Sequence, residues 1–181
     1  MQLFVEREPT AMLSVYQQST TNQFMAVLFT LKKCIEQCPE DLWFEPVVNL
    51  KYCQVVFHSL FFTDVYLGPN LAALREQSFH RDNPDFFGDY EKLEDRLPAR
   101  VYDTAQMEAY VQHCVDKARR VIAHETQAQL ATAPGFGWLQ FSRAEVHISS
   151  IRHLQHHAAQ LSLHLNQKTG VGVDWVRSGA E

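Results

Sequence analysis

Apolar residues recur at three- and four-residue steps in four stretches of the chain, and this pattern predicts four long helices. The first runs from about Ala11 to Gln37, with Leu13, Tyr16, Thr20, Phe24, Val27, Leu31 and Ile35 on one face and Pro39 beyond its end. The second runs from about Val47 to Leu67, with Pro46 suited to its start, Gly68-Pro69 as its stop, and Val55, His58, Phe62 and Val65 as its inward stripe. The third runs from about Thr104 to Ala131, opened by a capping box of Asp103 and Gln106 and carrying Met107, Val111, Cys114, Ala118 and Val121 on its apolar side. The fourth runs from about Arg143 to Lys168, between the Ser142-x-x-Glu145 capping box and Gly170.

Three of these segments span ~27 residues each, or ~40 Å of helix. Helices of similar length with single apolar faces suit an all-α four-helix bundle, and no strand-like alternation or internal repeat competes with it. The connections around Pro39 and Pro46, and through Pro134-Gly135-Phe136-Gly137, are short. The connection between the second and third helices, from Gly68 to Asp103, is long and holds Phe79, Phe86, Phe87 and Tyr90 among polar residues, with Pro84 and Pro98. The expected topology therefore has one long crossover, whose aromatics either cap the bundle or wall a site.

Composition narrows the class. With 181 residues, 46% hydrophobic and 20% charged, the chain suits one folded domain over residues 1–181 that needs no metal or disulfide merely to fold. A net charge of -5 gives no general field for nucleic acid or an anionic membrane. No apolar run approaches the ~20 residues of a membrane span. The opening Met1–Glu8 carries acids where a signal peptide is basic, and the four cysteines, Cys34, Cys38, Cys53 and Cys114, form no Cys-x-x-Cys pair. A cytoplasmic protein with reduced thiols is expected.

Chemistry is concentrated in the histidines. Five of the nine fall between positions 147 and 164. On the fourth helix His153 and His157 stand four residues apart, so both rings can aim at one point, and imidazoles at this spacing commonly form half of a transition-metal site. His156 competes at three residues from His153. On a helical wheel Ile151, Leu154, Ala158, Leu161 and Leu165 form the apolar stripe; His157 lies at its edge, roughly 75° from the centre, with His153 one step further round and His156 nearly opposite. Gln160 shares the His153 side. His164 does too, but ~10 Å further along the helix than His157. His147 points into the stripe and reads as a buried, hydrogen-bonded core residue. Two ligands hold a metal weakly, and His58, inward on the second helix, is the best third. Taken singly, each of these histidines is better explained as a satisfied core or surface residue than as a ligand.

Other catalytic patterns fail. The zinc-protease His-Glu-x-x-His, the Glu-x-x-His of di-iron bundles, Gly-x-Ser-x-Gly and phosphate-binding glycine loops are all missing. Cys34 and Cys38 share a helix face but read as small packing residues.

An inward histidine in Phe57-His58-Ser59-Leu60-Phe61-Phe62, a long crossover, and Arg152-His153-Leu154-Gln155-His156-His157-Ala158-Ala159-Gln160-Leu161 together resemble the DinB-like (DinB/YfiT) superfamily. The similarity extends from the first helix to the tail at Trp175, with Ala159 standing where the family often has glycine. The resemblance implies a four-helix bundle whose metal is bound by His58, His153 and His157. It also implies either a thiol-dependent transferase or isomerase, or a hydrolase, acting on a small molecule, and a homodimer. An open three-imidazole site suits zinc or nickel, and iron less well; such a metal would activate a water or a low-molecular-weight thiol as nucleophile. The competing expectation is a non-catalytic stress-related or binding bundle whose metal site is structural or vestigial. No general acid or base is identified: Asp64 and Tyr66 follow His58, but their wheel positions do not place both inward.

Overall fold

The structure, a computed structural model, describes residues 9–87 and 100–179. Met1–Glu8, read above for a targeting signal, and Tyr90 and Pro98 of the crossover lie outside the described residues, as does the side chain of Phe86. The described chain is mainly helical. In order it comprises α1 (Pro9–Glu36), the strands β1 (Pro46–Val47) and β2 (Leu50–Lys51), α2 (Tyr52–Leu67), three short helices α3 (Leu71–Arg75), α4 (Ser78–Asp82) and α5 (Pro84–Phe87), then α6 (Thr104–His124), α7 (Gln127–Ala131) and α8 (Arg143–Thr169). The long helices pack in the cyclic order α1, α6, α2, α8, each against its two neighbours. Among the described residues no helix is long and apolar enough to cross a membrane.

α2 is the hub. Every residue of it except His58 and Tyr66 is buried, so the single inward stripe expected from the sequence is too narrow. A helix that is apolar nearly all round belongs in the interior. Its small polar side chains bond back to their own helix, Ser59 Oγ donating to the Val56 carbonyl at 2.8 Å and Thr63 Oγ1 to the Ser59 carbonyl at 2.8 Å. This lets them be buried without loss.

The start of α2 differs from expectation. Residues 46–51 form a small antiparallel hairpin, pairing Pro46 with Lys51 and Val47 with Leu50, instead of a first helical turn. Its turn holds Val48 at φ 62, an uncommon conformation for a β-branched residue. The cause is tertiary. The Tyr52 amide donates to the Glu45 carbonyl at 2.8 Å and the Cys53 amide to the Trp43 carbonyl at 3.1 Å, so the preceding turn satisfies two amides that a helix start leaves open. That turn is anchored by the buried Trp43 indole, which donates to the Tyr102 carbonyl at 2.7 Å.

The expected third helix is broken as well. α6 ends at His124, Glu125 is extended at ψ 132, and α7 restarts from a Thr126–Gln129 capping box. The Glu125 carboxylate is held by Arg143 Nε at 2.8 Å and His147 Nε2 at 3.2 Å, both from α8. Gln17 Nε2 donates to the Ala123 and Glu125 carbonyls at 3.2 and 2.9 Å, taking up acceptors freed by the break. Arg143 also donates to the carbonyls of Tyr66, Leu67 and Gly68, closing the C-terminal end of α2. α8 follows the sequence closely, with Ser142 accepting from the Glu145 amide and Gly170 in the left-handed region at φ 77.

His147 is the buried core histidine expected, 1% exposed and donating to Glu125. Burial pushes its pKa below the usual 6.5. In acid the unfolded chain takes up this proton first, so the stability His147 contributes is complete above 6.5 and is lost as pH falls through and below that value. We expect the urea midpoint of metal-free protein to fall between pH 7 and about 5, and His147→Gln to flatten that fall. An equal fall in the variant would assign the effect elsewhere.

Candidate metal centre

His58 reaches the α2–α8 groove from one side, and His153 and His157 from the other. The i, i+4 spacing on α8 brings the latter two edge to face, with ring centroids 4.6 Å apart. The His58 ring lies 5.3 Å from His153 and 4.8 Å from His157. One ring nitrogen from each of the three falls within 4.8 Å of the others, and all three residues are half-buried. The structure thus brings together the trio that the wheel and the resemblance selected.

His157 is oriented from behind. Its Nδ1 donates to Gln160 Oε1 at 2.9 Å, so the proton sits on Nδ1 and the Nε2 lone pair points at the other rings. That Nε2 lies 3.1 Å from Nε2 of His153. Two lone pairs at this distance repel unless a proton or a cation lies between them, and an ion ~2.0–2.1 Å from each nitrogen bridges such a gap. The donor set is therefore a fit for a divalent ion of borderline softness. Burial, with the adjacent His157 and His156, pushes His153 down to about 4. Burial lowers His157 too; the Gln160 bond opposes this and His156 adds to it. Both rings are neutral at pH 7 and need lose no proton to ligate. The Phe62 ring, 4.9 Å from His58 and 5.7 Å from His153, forms an apolar wall.

Gln160→Leu should weaken metal binding roughly 10–100-fold, as lost second-layer hydrogen bonds do, while leaving the helix content unchanged. A competition titration against a chelator measures it; unchanged affinity would remove Gln160 from the centre.

The remaining histidines separate cleanly. His156 is exposed, as expected, and its ring lies 5.2 Å from that of His157. His164 packs 6.1 Å from the Tyr52 ring and stands outside the grouping. Cys34 and Cys38 are free thiols, and burial pushes both up to about 12, so they serve as packing residues.

A second polar cluster went unrecognised in the sequence. Asp64 is fully buried and faces α6, whereas Tyr66 remains partly exposed. The Asp64 carboxylate accepts from Lys117 Nζ, from His80 Nε2 at 2.7 Å, Tyr110 Oη at 3.1 Å, and His113 Nε2 and Gln77 Nε2 at 3.3 Å. Burial pushes its pKa up, but the bonds from His113 and His80 and the charge of Lys117 outweigh it and hold the carboxyl well below the usual range. Two histidines and an aspartate suggest a metal site by composition, yet the Lys117 ammonium already occupies the carboxylate. The cluster fastens α4 and the turn before it to α2 and α6. Phe79 stacks on His113 at 4.4 Å and Phe87 on His80 at 3.5 Å. Their rings therefore serve the Asp64 cluster. One signal was available: Tyr110, His113 and Lys117 repeat at three and four residues on α6, a polar stripe where an apolar one is the rule.

Among known proteins, no family model, no curated protein and no solved structure matches the chain.

Proposed function

We propose that this chain is a four-helix bundle of the DinB-like kind, with its crossover between α2 and α6, and that it is a metal-dependent enzyme acting on a small molecule. The observation that carries the reading is the convergence of His58, His153 and His157, three nitrogen donors drawn from two helices. They would hold a zinc or nickel ion, with iron a weaker fit. A metal ligated only by imidazoles keeps its full positive charge and, when bound, supplies the Lewis acidity that favours an anionic thiolate or hydroxide as nucleophile.

The chain's own residues set the rest. Gln160 fixes the tautomer and aim of His157. Phe62 keeps one side of the site apolar, and the half-exposure of the three rings leaves an approach for substrate. Thiolate is the softer of the two nucleophiles and suits zinc and nickel, so we favour a transferase using a low-molecular-weight thiol over a hydrolase. The four free thiols of the chain accord with a reducing, cytoplasmic setting. The test is to titrate cobalt-substituted protein with cellular thiols. A sulfur-to-cobalt charge-transfer band supports the transferase. No band at millimolar thiol moves the reading to hydrolysis, and failure to take up any metal ends the enzyme reading.

A further inference from the structure

Two long helices end against one cavity. α2 stops at Leu67 and α6 at His124, and both residues line a hollow of about 310 Å³, together with residues 132–135. That volume is at the lower end for small-molecule sites, which run from roughly 300 Å³ upward. Leu67, Pro69, Val121 and Pro134 give it apolar walls.

One polar atom at this cavity has no partner. Glu125 lines the hollow and is 7% exposed. Its Oε1 accepts from both Arg143 Nε and His147 Nε2. Its Oε2 accepts from no described residue and is not enclosed by protein. A carboxylate oxygen in that position calls for a donor in the cavity. Arg143 is not that donor, because its Nη atoms are turned to the carbonyls of Tyr66, Leu67 and Gly68. His124, the other basic side chain on the wall, directs its Nδ1 proton to the Arg120 carbonyl at 2.7 Å.

The local charge says what the donor is. The Arg143 charge is matched by Glu125. The C-terminal ends of α2 and α6 each add roughly half a negative charge. The hollow is therefore negative on balance, and an anion would face the Glu125 carboxylate. We propose that it binds a small organic cation, a primary ammonium on a short apolar chain. The ammonium donates to Glu125 Oε2, and the chain lies against Leu67, Val121 and Pro134. Arg143 stands ten residues before His153 on α8, ~15 Å along the axis, so this site is separate from the histidine trio and independent of the metal reading.

Titration of the isotope-labelled full chain with n-butylammonium, followed through its amide resonances, tests the proposal. The amides of Leu67, Val121, Glu125 and Ala133 should shift together and saturate, with a dissociation constant on the order of 1 mM. Butanol and butyrate, equal in chain length, should bind at least about tenfold more weakly. Glu125→Gln keeps the shape and should lose at least about tenfold in affinity. Because that change also strands Arg143, a second variant leaves the buried pair intact. Gln129→Glu preserves the capping box with Thr126, adds a carboxylate to the cavity wall, and should tighten binding about threefold at low salt. No saturable shift at tens of millimolar, equal binding of butanol or butyrate, shifts confined to other parts of the chain, full affinity in folded Glu125→Gln, or a Gln129→Glu protein that binds no tighter would each overturn the proposal.

Discussion

His157→Ala is expected to abolish stoichiometric metal binding, whereas His156→Ala leaves it intact. The two residues are adjacent, but α8 turns His157 into the groove with His58 and His153 and leaves His156 in solvent. Loss of His157 removes a ligand and, with it, the only ring whose tautomer is fixed by Gln160. The loss of affinity should exceed the roughly 10–100-fold typical of an outer-layer change. His58→Ala and His153→Ala should behave in the same way. The metal-free fold should survive each change, because the three rings are half-buried and the core around α2 is complete without them. Metal content after dialysis, measured by emission spectroscopy alongside circular dichroism, separates the outcomes. Equal loss from His156→Ala and His157→Ala would mean that the metal is held elsewhere.

Asp64→Ala is expected to be the most destabilising single change in the chain, at about 3–5 kcal/mol. Lys117, 5% exposed, would lose its only counter-charge among the described residues, and His80, His113 and Tyr110 would lose their shared acceptor. Most of that cost is the stranded ammonium, so Asp64→Leu/Lys117→Met should recover much of it. The pH dependence has a definite sign. The folded pKa of Asp64 lies well below the ordinary value near 3.8. Its stabilisation is complete above the ordinary value and is lost as pH falls from there through the folded value. The double variant should therefore show a shallower acid transition below about pH 4. Urea unfolding measures both effects; a cost under about 1 kcal/mol for Asp64→Ala would show that the ammonium finds water or another acceptor.

α1 and α8 were legible in the sequence because their information is local. The apolar spacing from Leu13 to Ile35, the Ser142 cap and Gly170 specify those helices without reference to the rest of the chain. The histidine grouping was legible because two of its members share a helix and a wheel fixes their azimuth. The features that were misread depend on distant partners. Glu125 breaks the α6–α7 segment because Arg143 and His147 reach it from α8. The hairpin before α2 forms because Trp43 is pinned to Tyr102, which holds the Glu45 and Trp43 carbonyls in place to receive the Tyr52 and Cys53 amides. Asp64 gathers donors from α4, α6 and the turn between α3 and α4, and no spacing within α2 points to them.

One metal ion is expected between His58, His153 and His157. Anomalous diffraction from a crystal of metal-loaded protein, collected at the absorption edge of the metal, tests it most directly. One peak should appear per chain, ~2.0–2.2 Å from a ring nitrogen of each of the three histidines. A peak at the Asp64 cluster, a peak at His156 alone, or none in the α2–α8 groove of protein shown to contain metal would contradict it.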